Sequence, residues 1–278
     1  MRLGQIKWNG GVTAAIFNHS SARPIPDYTL CELISRAEKQ GALLADLAEE
    51  LSIPKPVAAE PLIPLQPREV WASEEILAHE PRPRIFLKGT ARMCVGPGQP
   101  IGIRSDSRFT APEPEIAVVL GARGRVLGYT LANDVSARDI ERENPLYLSQ
   151  SKTFQACCAL GPVMVTADEI ADPLGLTVSC TIVRAGATIF EGKISTERLA
   201  LSRMLDFLMR ANPVPPGSVL LTGTGVRIEN VALMAGDSVS IRVDQIGELR
   251  NPAEVVGSAI CYASSGSSNS SSRAASAA

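Results

Sequence analysis

Two glutamates, Glu113 and Glu115, stand two residues apart at the head of the apolar run 116–120. Side chains alternate faces along an extended strand, so the two carboxylates point the same way. Pro114 between them cannot donate to a ladder, which suits the first residues of a strand or an exposed edge. Like charges held side by side repel, and a divalent cation neutralises them; oxygen ligands of this kind suit Mg²⁺, Mn²⁺ or Ca²⁺. On local pattern alone, two solvated glutamates at a strand start are as good a reading. Asp134 adds a third carboxylate at the end of the run 128–134. If the two runs form a hairpin, Asp134 approaches the same point, and three carboxylates with waters make an octahedral site with open positions for substrate. The competing role for Asp134 is to cap the helical turn that follows it.

These acids need strands to carry them, and the chain supplies many. Residues 3–8 and 12–17 read as strands joined at Asn9-Gly10-Gly11, a hairpin signal. Residues 29–50 carry leucines and isoleucine at helical spacing with a break near Gly41, and Thr29 with Glu32 fits a capping box. Five prolines between 54 and 67 make an extended linker or a crossing segment, not a helix. Further strands are expected over 84–88, 101–104, 115–120, 126–133, 161–166, 176–185, 188–191, 219–222, 238–243 and 255–262. Short helical turns are expected over 137–143, and one longer helix over 197–210. Residues 263–278, mostly serine and alanine, read as a disordered tail.

The bulk composition narrows the chemistry. With 278 residues, 45% hydrophobic and 20% charged, the chain has the make-up of an ordinary globular protein. A net charge of −2 gives no electrostatic footprint for nucleic acid or an anionic membrane. No run is long and apolar enough for a membrane span, and residues 1–20 show no signal-peptide pattern. The six cysteines form no CxxC pair, and adjacent Cys157-Cys158 suit buried thiols in a reducing compartment. Only two histidines, His19 and His79, are present, which weighs against zinc and against a Ser-His-Asp triad. Phosphate-cradling glycine motifs are absent as well.

Several separated segments together resemble the fumarylacetoacetate hydrolase family. They are Pro112-Glu-Pro-Glu-Ile-Ala-Val-Val-Leu120, Gly128-Tyr-Thr-Leu-Ala-Asn-Asp-Val-Ser-Ala-Arg-Asp139, Gln150-Ser-Lys152, Leu160-Gly-Pro-Val-Met-Val-Thr-Ala-Asp-Glu-Ile170 and Leu221-Thr-Gly-Thr224. Order and spacing match over about 84–251. Arg104-Ser-Asp-Ser107 and the run 143–152 look most like the 2-keto-3-deoxy-D-arabinonate dehydratase branch. The resemblance implies a mixed β-roll and a Mg²⁺ held by Glu113, Glu115 and Asp134. It also implies a 2-oxo acid substrate chelating that metal, whose Lewis acidity stabilises an enolate. Lys152 matches a lysine of the family's site and is expected to carry a proton or neutralise the enolate. Gly223 and Thr224 match a Gly-Thr motif that contacts the substrate's carboxyl end. Lys88 and Arg104 are candidates to bind a carboxylate, with a solvated role as the alternative for each. Arg138 and Asp139 are expected to pair locally and orient the loop beneath Asp134.

One departure from that branch stands out. After Glu69-Val-Trp71 the branch continues into a long helical lid with a catalytic acid/base glutamate. Here the chain passes almost directly to Arg84, so the lid is expected to be missing, leaving Glu74, Glu75 or His79 as substitutes.

The sequence therefore predicts an α+β protein: a mixed β-roll or sandwich of the fumarylacetoacetate hydrolase type with a small N-terminal α+β module. The boundaries are a leading module with its proline-rich linker over 1–66, a catalytic domain over 67–262, and the tail. The expected activity is Mg²⁺-dependent dehydration of a 2-keto-3-deoxy sugar acid. The alternatives are C–C hydrolysis of an acylpyruvate or diketo acid, and binding of a 2-oxo acid and metal without turnover. Expected partners are the small substrate and a second copy of the chain, in the cytoplasm.

Overall fold

The computed structural model describes residues 1–74, 82–173, 175–195, 201–226 and 228–257. Its centre is the strand Pro114–Leu120, every residue of which is buried. That strand pairs antiparallel with Val126–Asp134 on one side and with Ser218–Leu221 on the other. Covering on both faces explains why it reads as a continuous apolar run instead of an alternating one.

Around it an 11-stranded sheet extends in both directions. On one flank Val126–Asp134 pairs with Cys158–Thr166, which pairs in turn with Arg2–Trp8 at the chain's start. The predicted hairpin of Arg2–Trp8 with Gly11–Asn18 is present, and Ser21–Ile25 and Val57–Ala58 continue the sheet. The leading strands are thus part of the same sheet as the central strand. On the other flank Ser218–Leu221 pairs parallel with Val70–Ser73, and the edge strand is Ile85–Gly89. A second sheet of five strands runs Ala187–Ser195, Thr177–Arg184, Ser238–Val243, Gly247–Val256, Ile101–Arg104.

The apolar faces fill two clusters. One lies between the sheets and includes Ile116, Val118, Leu131, Ile182 and Ile241. The other lies under the N-terminal helices and includes Leu3, Leu33, Ile34, Val119 and Leu221. Each such side chain, fully buried, contributes roughly 1.5–3 kcal/mol relative to exposure.

The helical segment expected over 29–50, with its break near Gly41, is two helices, Leu30–Gln40 and Leu44–Leu51. Thr29 and Glu32 do form the capping box, and Gly41, at φ 65°, ends the first helix in the left-handed conformation that an L side chain resists. The proline-rich segment packs against the sheet: Leu65 is fully buried, and the Gln5 amide donates to the Ile63 carbonyl at 2.9 Å. The helix expected over 197–210 is observed as Leu201–Met209, with 196–200 outside the described residues. The closing strand begins earlier than expected, at Gly247, because a turn of only Asp244, Gln245 and Ile246 returns the chain to pair with Ser238–Val243. A short helix, Leu148–Lys152, was not legible in the sequence. The tail lies outside the described residues, and no described helix is long and apolar enough to cross a membrane.

Candidate active site

The hairpin register decides where the carboxylates go. Pro114 faces Asn133, so Glu113 lies opposite Asp134, and the Asp134 N–H donates to the Glu113 carbonyl at 2.9 Å. Glu115, two residues on, shares the face of Glu113. One oxygen from each of Glu113, Glu115 and Asp134 falls within 4.8 Å of the other two, and all three side chains are buried. Two oxygens bonded to one cation at ~2.1–2.4 Å lie at most ~4.2–4.8 Å apart, so the cluster fits a single hard cation.

Three buried anions at this spacing repel by roughly 3 kcal/mol per pair at an effective dielectric near 20. Cations offset this unevenly. Lys152 Nζ lies 3.0 Å from Glu113 Oε2 and donates to Ser136 Oγ at 2.7 Å. Arg138 reaches Glu113 Oε1 at 3.1 Å. Burial would raise the Glu113 carboxyl, but Lys152 and Arg138 outweigh it and hold it below its ordinary range. Burial would likewise lower the Lys152 ammonium, yet Asp134, Glu113 and Glu141 together keep it above its ordinary value. Lys88, fully buried, sits 2.5 Å from Asp134 Oδ1, while its aligned hydrogen bond goes to the Val135 carbonyl at 2.9 Å. Asp134 Oδ1 therefore has a contact of charge but no directed hydrogen bond.

Glu115 is the exception. Among the described residues no cation lies within ion-pair distance of it, and its one hydrogen bond comes from the Gly223 N–H at 2.7 Å. Burial, then Asp134 and Glu113, push its carboxyl well above the ordinary range. A buried carboxylate with no cation within ion-pair distance among the described residues, beside two further carboxylates, is the arrangement a divalent ion completes.

The cluster opens into a cavity of about 260 Å³ lined by Ser73, Phe86, Glu113, Asp134, Lys152 and Thr224, with Glu74, Arg84, Arg138, Glu141 and Glu229 also on its walls. This is near the lower end of small-molecule sites, the size for a compact metabolite. Gly223 takes φ 90°, which turns its N–H toward Glu115 and leaves Thr224 on the cavity wall. Phe86 lies 5.7 Å below the Lys152 ammonium.

Of the sequence-derived candidates, Glu113, Glu115, Asp134, Lys152, Gly223 and Thr224 come together. Lys88 joins them from behind, ion-paired with Asp134 and hydrogen-bonded to the Val135 carbonyl, and does not line the cavity. Arg104 lies elsewhere: it forks onto Asp106 at 2.6 and 2.8 Å and donates to the Gln150 carbonyl. Arg138 and Asp139 do not pair with each other. Arg138 turns to Glu113, and Asp139 accepts from Ser107 Oγ at 2.6 Å and the Arg108 N–H at 2.7 Å. Cys157 and Cys158 are packed in the interior as free thiols. Glu75 and His79 lie outside the described residues; Glu74 and Arg84, which flank that segment, pair at 2.7 Å. Sequence reasoning missed Ser136 and Glu141. The i, i+3 spacing of Arg138 and Glu141 just past Asp134 is the signal by which the latter could have been found.

Comparison with known proteins agrees with this geometry. The chain is 48% identical over 176 residues to the 2-dehydro-3-deoxy-D-arabinonate dehydratase of Saccharolobus solfataricus, a match covering 62% of this chain and 59% of that protein. It is 37% identical over 239 residues to a protein of Haloferax volcanii named as a probable 2-keto-3-deoxyxylonate dehydratase, covering 77% and 82%. A solved structure of 2-keto-3-deoxy-D-arabinonate dehydratase complexed with magnesium and 2,5-dioxopentanoate superposes with a TM-score of 0.78 at 35% identity, over 93% of this chain and 100% of that one. The profile of the fumarylacetoacetate hydrolase C-terminal domain matches residues 66–254, a span that holds all three carboxylates, Lys152 and the Gly223 turn. The chain belongs to the fumarylacetoacetate hydrolase family.

Proposed function

We propose that this protein is a Mg²⁺-dependent hydro-lyase that dehydrates a 2-keto-3-deoxy sugar acid, converting 2-keto-3-deoxy-arabinonate to 2,5-dioxopentanoate. The observation that carries the reading is the convergence of Glu113, Glu115 and Asp134 on one point beside a metabolite-sized cavity, with no cation of the described residues within ion-pair distance of Glu115. The likeness to the arabinonate dehydratases supports the substrate class. Glu113, Glu115 and Asp134 would hold Mg²⁺, which would supply Lewis acidity that acidifies the C3 protons of a 2-oxo acid.

The chain's own residues do the rest. Lys88 and the Gly223 N–H fix Asp134 and Glu115 from behind, so that the carboxylates are preorganised. Arg138 holds the second oxygen of Glu113. Lys152, locked between Glu113 and Ser136, presents a permanent positive charge to the cavity wall. There it offsets negative charge that develops on the substrate as C3 loses its proton. Thr224, on the cavity wall, receives the substrate's carboxyl end. The free thiols favour a reducing cytoplasm, and a homodimer is the assembly expected from the family resemblance.

The test is incubation with Mg²⁺ and a panel of 2-keto-3-deoxy acids, acylpyruvates and diketo acids, with products identified by NMR. Formation of 2,5-dioxopentanoate from the arabinonate acid is expected. Cleavage of an acylpyruvate without any dehydration would make it a hydrolase, and tight 2-oxo acid binding without turnover of any compound would make it a binding protein.

A further inference from the structure

The short helix Arg138–Glu143 carries two side chains to the cavity from positions three apart, Arg138 and Glu141. Its orientation is fixed from the opposite side, where Asp139 accepts hydrogen bonds from Ser107 and the Arg108 N–H. Arg138 is committed to Glu113 at 3.1 Å. Glu141 is not committed in this way. Its one ion-pair contact among the described residues is Lys152 at 3.9 Å, beyond hydrogen-bond reach, and its side chain is 27% exposed.

Dehydration sets a requirement that the residues assigned so far do not meet. A C4 hydroxyl leaves as hydroxide only at high cost, so a proton must reach its oxygen as the bond breaks. Glu113, Glu115 and Asp134 point at the metal position. Lys152 is held by Glu113 and Ser136. Glu74 is engaged by Arg84, and Glu229 is exposed at the rim. Among the described carboxyls on the cavity wall, Glu141 is the one that is half-buried, without a close partner and outside the carboxylate cluster. Burial raises its carboxyl above the ordinary range; Lys152 opposes that shift, and Glu113 and Glu74 add to it.

Resting on the dehydratase reading, we propose that Glu141, on the cavity wall, is the proton donor to the departing C4 hydroxyl. The Glu141 carboxyl proton passes to the C4 oxygen, and the C4–O bond breaks with its electron pair leaving in water. The C3 proton passes to cavity water, and the electron pair it leaves becomes the C3–C4 double bond. The resulting 5-hydroxy-2-oxo-3-enoic acid reaches the 2,5-dioxo acid by two tautomerisations, a proton moving from C5 to C3 and then from the C5 hydroxyl to C4. Glu141 ends as a carboxylate, and its partial exposure lets solvent return the proton.

The experiment compares wild type with Glu141→Gln on two substrates, the natural hydroxy acid and its 4-fluoro analogue, whose fluoride leaves without a proton. Calorimetric Mg²⁺ titration and exchange of the C3 protons in D₂O are followed in parallel. A kcat loss of roughly 10²–10⁴-fold on the hydroxy acid is expected, with a loss under about 10-fold on the fluoro analogue. Mg²⁺ binding and C3 exchange should persist, since both precede the step. Equal losses on the two substrates, a rate within about 5-fold of wild type on the hydroxy acid, or lost Mg²⁺ binding would each overturn the role. If Glu141→Gln does not fold, Glu141→Asp is tested by the same substrate ratio. Wild type that turns over no hydroxy acid removes the dehydratase reading itself, an outcome distinct from wild-type turnover with an unaffected variant.

Discussion

Lys152 and Glu113 form a buried ion pair at 3.0 Å, with 3% and 8% of their side chains exposed, on the wall of the cavity that holds the carboxylate cluster. The lysine thus competes for the carboxylate that the metal needs. Replacing it with methionine removes that competition and leaves Arg138 on the other oxygen of Glu113. Lys152→Met is expected to bind Mg²⁺ at least as tightly as wild type while losing ~10²-fold or more in turnover. Calorimetric titration beside a product assay checks the pair of outcomes; weaker Mg²⁺ binding would place Lys152 in a purely supporting role.

Glu115 is a buried carboxylate with no cation within ion-pair distance among the described residues; burial, Asp134 and Glu113 outweigh the more distant Lys152, so its charge is a burden on the metal-free protein. Glu115→Gln keeps an oxygen for the Gly223 N–H and removes the charge. The metal-free variant should be more stable by ~1–3 kcal/mol, and Mg²⁺ should no longer add stability to it. Urea unfolding with EDTA and with excess Mg²⁺ reads both effects.

Gly223 at φ 90° aims its N–H at Glu115. Gly223→Ala should cost about 1–3 kcal/mol of stability from the left-handed backbone alone. Any relaxation also moves the donor away from Glu115, so Mg²⁺ affinity should fall together with stability. An alanine variant with unchanged affinity would show that the N–H does not position the ligand.

Away from the site, Asp237 is buried and accepts two hydrogen bonds from Arg184 at 2.8 Å and one from the Met234 N–H. Burial would raise its carboxyl, but these bonds outweigh it and hold it below its ordinary value near 3.8. A depressed folded value contributes stability above the unfolded one and loses it as pH falls through the folded one. Asp237→Asn should therefore lower the urea midpoint at neutral pH, with the gap to wild type closing only below about pH 4. A gap that stays constant down to pH 2 would assign the loss to packing.

Much was legible because local chemistry forces it. The Asn9-Gly10-Gly11 hairpin, the Thr29 capping box and the both-faces-buried run of 116–120 each follow from backbone geometry acting over a few residues. The period of two in a strand put Glu113 and Glu115 on one face, and a hairpin brought Asp134 opposite Glu113. What escaped the sequence depended on contacts between distant segments. Lys88 and Arg104 look alike as cations near strand ends, yet one is buried against Asp134 and the other is forked onto Asp106. Arg138 reached Glu113 and not its neighbour Asp139, because a helix sends adjacent residues in different directions.

By itself the sequence determined the residue types, their alternation and the turns, and with them three carboxylates able to meet at one point. Only the tertiary structure decided the charge balance there. Which cation reaches which carboxylate depends on strand register, on the Arg138–Glu143 helix and on the Gly223 turn, elements up to 108 residues apart in the chain. Coulomb energies fall with distance and rise with burial, and neither quantity is written in a linear sequence.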